Sequence, residues 1–209
     1  MAKSAALANT SDVALIVKLK GRATASAISE AAGFDASAAL AALVDDGLIE
    51  PVKAFFKVTS VGLASVTESI AAARASIGES LVSEWYALFC PINDDFKAMV
   101  TDWQLRPTDG APVINDHTDR GYDEAVLGRL RAIDDAVGGL LARFPLTLPR
   151  YGRYRERLGT ARARLVGGRR EFMASPAVDS YHSIWFELHE DLILLGGRTR
   201  AGEAEAGRG

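Results

Sequence analysis

Apolar residues recur at three- and four-residue spacing through most of this chain, which predicts many helices and few strands. The strongest such stretch is Val178–Leu195. Ile184, Leu188 and Asp191/Leu192 continue one stripe, and Trp185, Leu188, Leu192 and Leu195 make another. Pro176 with Asp179 or Ser180 supplies the start signal, and Gly196-Gly197 the stop. A helix apolar over so wide an arc is mostly buried. It nevertheless carries Tyr181, His182, His189 and Glu190 inward or at its margin, and buried polar groups must find partners. Either these groups satisfy one another or they line a pocket.

Near the start, Val13–Lys20 predicts a helix with Val13, Ile16 and Val17 on one side. Thr24 or Ser26 can cap a second helix, Ala25–Ala32. Gly33-Phe34-Asp35 is a tight turn, and Asp35 caps a third helix, Ala36–Asp46. Gly47–Glu50 and Ala54–Thr59 predict two short strands, and Ser60–Val66 opens a further helix. The segments Ala25–Gly33, Leu40–Ile49 and Val58–Leu63 resemble the winged-helix domain of MarR-type regulators, over about a quarter of the chain. The resemblance implies a third helix that enters the DNA major groove. The residues argue otherwise: Asp35–Asp46 holds three aspartates and no lysine or arginine, and the short wing offers only Lys53, with Lys57 on the strand. Residues 12–66 carry five Lys/Arg against six Asp/Glu. Affinity for duplex comes chiefly from neutralised phosphates, so a winged helix used for protein contact is the preferred expectation.

Beyond this module the stripe Ile70, Ala73, Ile77, Leu81, Trp85, Leu88 predicts one long helix to about Phe89, stopped by Pro91. Asn93–Thr101 begins the next, with Phe96, Met99, Val100 and Trp103 on one side. Pro107–Asp119 is a polar loop rich in turn formers, with Asn115, Asp116, His117 and Asp119 close-set, and Asp119 or Thr118 can cap a helix at Arg120. His117 reads there equally as a site residue or as solvated. Tyr122–Leu141 is amphipathic, with Val126, Leu130, Ile133 and Val137 facing in. Arg143–Arg170 then holds nine arginines against one glutamate. Such a run can track nucleic acid, hold phosphates, or pair with acidic helices of the same domain, and the last is preferred. The expected organisation is a winged-helix domain over residues 1–66, an all-α domain over 67–197 and a flexible tail over 198–209. The fold class is mainly α, with a short β-hairpin.

Composition narrows the function classes. A net charge of −3 does not favour a dedicated nucleic-acid binder. The single cysteine, Cys90, rules out an intramolecular disulfide and reads as a core filler. No 18-residue apolar run is present, and Met1–Thr10 lacks the apolar centre of a signal peptide, so a cytoplasmic protein with no membrane contact is expected. There is no glycine-rich phosphate loop, no paired-cysteine zinc pattern and no nucleophilic serine motif. His182 and His189 lie about 10 Å apart along a helix axis, too far to share one metal unaided. No metal site, bound cofactor or independent catalysis is expected.

What remains is either a set of aromatics that are simply core or a small-molecule site. Trp103, Tyr122, Tyr181, His182, Trp185 and His189 offer flat faces with polar edges, the means by which pockets orient planar ligands. The runs Val100–Arg106, Asn115–Asp119 with Tyr122–Leu127, and Asp179–Leu192 resemble accessory chains or terminal segments of actinobacterial pyruvate phosphate dikinase-like phosphotransferases, across most of residues 85–205. The resemblance implies a non-ATP-binding subunit of a hetero-oligomer. Such a subunit would present a small hydroxylated compound, aromatic ones among the candidates, to a larger subunit that keeps the ATP. On that expectation His182 or His189 accepts a proton, Trp103 and Trp185 are stacking walls, and Arg106 is a clamp. Asn115, Asp116, His117, Tyr122 and Tyr181 complete the candidate site. The alternative is a MarR-like, ligand-responsive regulator that binds DNA as a homodimer.

Overall fold

The computed structural model describes residues 2–144 and 148–207, with side chains from Thr10 onward. The chain is mainly helical and carries two small antiparallel two-stranded sheets. It divides into two compact units, one running to Val82 and including Ile184–Glu205, the other spanning Ser83–Ser183. The division therefore falls at Val82 and again at Ile184, whereas the sequence pattern places it at Val66.

The first unit opens with α1 (Ala2–Lys20), α2 (Ala25–Ala32) and α3 (Ser37–Asp45). Helix α1 begins before the expected Val13. Thr24 caps α2 by accepting from Ala27 N at 3.2 Å, and Gly33 ends it at φ 75. Asp35 does not cap α3: it lies one residue too early, and its carboxylate takes the Ser37 amide and hydroxyl while Ala36 holds the cap position. Strands β1 (Ile49–Val52) and β2 (Phe55–Val58) pair with Ile49 opposite Val58, and an isolated bridge joins Ala23 to Phe56. Thr59 then caps α4 (Ser60–Ile77). Val13, Val17, Ile28, Leu40, Leu43, Ile49, Val66 and Ile70 are buried.

The later part of α9 (Tyr181–Leu195) also belongs to this unit. It is tied to α1 by Lys18–Glu190 and Lys20–Glu187 ion pairs, each 2.6 Å. The expected flexible tail instead forms α10 (Arg200–Glu205). Arg200 reaches Glu190 at 2.9 Å, and Glu203 is buried against Arg198. These charges are partly sheltered, which is why a Gly/Glu/Arg-rich segment can be held. The last two residues of that expected tail, Arg208 and Gly209, lie outside the described residues.

The expected long helix ending before Pro91 is not what forms. Gly78, at φ 99, breaks it, and α5 (Glu79–Gln104) then runs straight through Pro91. Proline forfeits one backbone hydrogen bond, a local loss inside a helix of 26 residues. The break changes the buried face: Leu81 and Leu88 of the expected stripe are exposed, and Trp85, Tyr86, Phe89, Phe96, Met99 and Trp103 face inward. Cys90 is only half-buried.

The second unit continues with a hairpin of β3 (Leu105–Arg106) and β4 (Val113–Ile114), then α6 (Arg120–Leu141), α7 (Pro149–Val166) and α8 (Glu171–Ala174). Helices α6 and α7 pack together, with Leu130, Ile133, Val137, Tyr154 and Leu158 all buried. Phe144 lies between Trp85 and Tyr151, at 4.1 and 4.0 Å between ring centroids. The arginine run is used internally: Arg157 grips Asp179 through two nitrogens, Arg162 meets Asp134, and Arg143 meets Glu84. Among the described residues no single helix is long and apolar enough to cross a membrane.

Gly62 tests the packing of the first unit. A Cβ there would stand 1.9 Å from the Leu48 carbonyl oxygen, a backbone atom that cannot swing aside. Gly62→Ala should lower the urea unfolding free energy by about 2 kcal/mol, and an unchanged midpoint would show that α4 does not rest on the Leu48 backbone in this way.

Candidate functional site

The hairpin β3–β4 returns the chain to the end of α5, and Asn115 fixes the junction. Its backbone amide donates to Gln104 O at 2.8 Å. Its buried side-chain amide donates to Trp103 O and to Asp123 Oδ1, each at 3.0 Å. Its Oδ1 accepts the His117 amide at 3.1 Å. These bonds hold His117 at φ 59, in the left-handed region. For a side chain other than glycine that conformation costs about 1–2 kcal/mol.

Asp123 sits in the first turn of α6, its side chain 2% exposed. Besides the Asn115 amide it receives His117 Nδ1, at 3.0 Å to Oδ1 and 3.3 Å to Oδ2. Arg170 Nη1 stands 3.4 Å from Oδ2 and donates to His117 O at 3.0 Å. Burial on its own raises the carboxyl's proton affinity. The hydrogen bonds from Asn115 and His117, with the neighbouring charges, outweigh it and hold Asp123 below its ordinary range. An ionised carboxylate has no proton to give, so the proton of the Asp123–His117 contact belongs to Nδ1. Asn115 Nδ2 also stands 3.1 Å from His117 Nδ1; with its two amide protons directed to Trp103 O and Asp123, the Nδ1 proton is left to Asp123. Among the described residues Nε2 then has no hydrogen-bond partner, on a side chain 31% exposed.

The geometry thus yields a histidine with one nitrogen anchored to a buried carboxylate and the other available. It is the arrangement required of a proton acceptor whose ring must not rotate. The ring also leans on Trp103, 4.3 Å between centroids, so His117 is held on two sides and is not a freely solvated loop residue.

Around this core the other candidates take different parts. Trp103 is buried and has His117 against its ring, so it supports the histidine; it is not an open stacking wall. Arg106 pairs with Asp119 at 2.9 Å and lies over the Tyr122 ring at 5.2 Å. Its ion pair is with Asp119 and not with Asp102, which Arg129 takes. Asp119 also caps α6 by accepting from Tyr122 N. The Tyr122 hydroxyl reaches the carbonyls of Asp102 and Leu105 at 2.9 and 3.0 Å, pinning α6 to the end of α5. Asp116 folds into a turn with the Thr118 amide and hydroxyl, bonds that hold it below the usual carboxylate range.

The residues of α9 are placed elsewhere. Tyr181 is fully buried and donates to Asp134 at 3.0 Å, with burial and that carboxylate pushing its proton affinity up. His189 and Trp185, which belong to the first unit, are buried, His189 at 5% exposure, and none of the three has surface to offer a ligand. His182 is half-buried, 6.1 Å from the Phe96 ring between centroids. The sequence pattern does not single out Asp123 or Arg170: the first is one acid in a helix start, the second one of nine arginines. An Asn-x-His followed six residues on by Asp carries no known spacing signal. Among the described residues no cluster of three or more metal-ligating side chains occurs.

No protein-family model matches the chain, and neither a curated protein nor a solved structure does.

Burial alone lowers the proton affinity of His182. In the unfolded chain the ring takes a proton as pH falls through its ordinary value of 6.5, while the folded ring stays neutral to lower pH. Stability should therefore fall from pH 7 toward pH 5. In His182→Gln the urea midpoint should fall less over that range than in the wild type; parallel slopes would mean that His182 is not the group responsible.

Proposed function

We propose that this chain is the substrate-presenting, non-ATP-binding subunit of a dikinase-type phosphotransferase, acting on a small hydroxylated compound held at His117. The observation that carries the reading is the pairing of His117 Nδ1 with buried Asp123, with Nε2 left unengaged among the described residues. A hydroxyl group hydrogen-bonded to Nε2 gives up its proton there as its oxygen bonds to the phosphorus presented by the larger subunit, and the phosphorus–nitrogen bond of that subunit's phosphohistidine breaks. The ring then carries a proton on each nitrogen, with Asp123 already in place to accept from Nδ1. This moves the role of proton acceptor from His182 or His189 to His117. ATP and the phosphoryl group belong to the larger subunit, and the protein is cytoplasmic in this reading.

The first unit is, on the same reading, a winged helix-turn-helix used for protein contact. The order α1–α2–α3–β1–β2–α4, the left-handed Gly33 turn and the Ala23–Phe56 bridge support that arrangement. The outer face of α3 presents Ser37, Ala38, Ala41, Ala42 and Asp45, with no cation for a phosphate. A MarR-like, DNA-binding homodimer is the second reading. It is favoured by the element order alone.

Thermal melts against a panel of phenols and alcohols separate the two when run beside a gel shift on promoter fragments. At a concentration about 100-fold above Kd, a ligand should raise the Tm by roughly 5 °C or more, and His117→Asn should abolish the rise. No rise with any compound, together with salt-sensitive DNA binding, would replace the subunit reading with the regulator.

A further inference from the structure

We infer that the ligand of the His117 site is a small hydroxy acid, its carboxylate received by Arg170 and its hydroxyl by His117 Nε2. The inference rests on the reading of His117 as a ligand site and adds the chemical class of the ligand. Arg170 has one nitrogen in use: Nη1 donates to His117 O at 3.0 Å and stands 3.4 Å from Asp123 Oδ2. Among the described residues Nε and Nη2 have no hydrogen-bond partner, and the side chain is 43% exposed. The adjacent acid does not take them, because Glu171 is bound by Arg169 Nε at 2.8 Å and Nη2 at 2.7 Å.

A guanidinium presents its N–H groups as a planar fork that fits a carboxylate with two parallel bonds. Asp123 cannot play that part. It is buried, and Asn115 and His117 already occupy it. The same Oδ2 that faces Arg170 lies 3.3 Å from His117 Nδ1, so imidazole and guanidinium converge on one oxygen atom. Nδ1 and Nη1 are thus separated by at most two such contacts laid end to end, and the nitrogens left for a ligand belong to the same imidazole ring and guanidinium fork. A small molecule that carries both a hydroxyl and a carboxylate, as a hydroxy acid does, matches this pair of groups, and a purely cationic compound does not.

Isothermal titration of the full chain at low salt with mandelate and with 1-phenylethanol tests the inference, the second probe keeping the hydroxyl and phenyl but lacking the carboxylate. Mandelate should bind at least about tenfold tighter. Arg170→Met should erase that advantage, Arg170→Lys should keep part of it, and His117→Asn should weaken both probes. The lysine variant retains the charge and covers the case in which the methionine variant fails to fold. Equal affinity of the two probes for the wild type overturns the hydroxy-acid assignment while leaving the site, and so does a mandelate advantage that survives Arg170→Met. Binding of neither probe overturns the site and the assignment together.

Discussion

The second unit depends on how one buried carboxylate is satisfied. An ionised Asp123 beneath the surface is costly unless donors surround it, and three separate segments converge to supply them. Asn115 follows the strand that returns from the hairpin, His117 comes from the loop beyond it, and Arg170 from the turn before α8. Each donor is fixed by a further bond: Asn115 by the end of α5, His117 by Asn115 and Trp103, Arg170 by the His117 carbonyl. The strained backbone at His117 persists because these contacts over-determine it.

That construction links stability to function. A histidine tethered only through its backbone would rotate, and either nitrogen could carry the proton. Here the carboxylate commits Nδ1, so the chemistry available to a ligand is that of Nε2. Tyr122 and the Arg106–Asp119 pair hold the start of α6 against the end of α5, and so fix where Asp123 enters. They support the site and do not touch a ligand in this account. The first unit uses charge differently. Its Lys18–Glu190–Arg200 chain joins α1, α9 and α10 by ion pairs. Burial raises the proton affinity of Glu190, and the bonds from Lys18 and Arg200 more than reverse that rise.

Helix positions are legible in the sequence wherever period and cap agree. Thr24 and Asp119 cap as their residue types imply, and Ile184, Trp185, Leu188, Leu192 and Leu195 of α9 are buried as its two stripes imply, with Phe186 left exposed. The pattern misleads at Gly78 and Pro91, where proline's local rule loses to the packing of a long aromatic-rich face and a single glycine at positive φ decides the break. The polar loop at 107–119 stands out by composition, and it is there that Asn115 and His117 meet Asp123. That meeting is not legible, because the partners lie six residues away in a helix and more than fifty residues away in a basic run. Histidines draw attention to α9, yet burial removes Tyr181, Trp185 and His189 from reach. Periodicity shows which face is inward; it does not show which buried polar group keeps one atom outside.

Nitrogen-15 NMR of the full chain, with the histidine rings labelled, addresses the central claim most directly by reading the tautomer of neutral His117. The Asp123 contact predicts Nδ1–H with a bare Nε2, the reverse of the form favoured by free histidine, and a shift toward Nε2–H in Asp123→Asn. An Nε2–H ring in the wild type, unchanged in that variant, would contradict it.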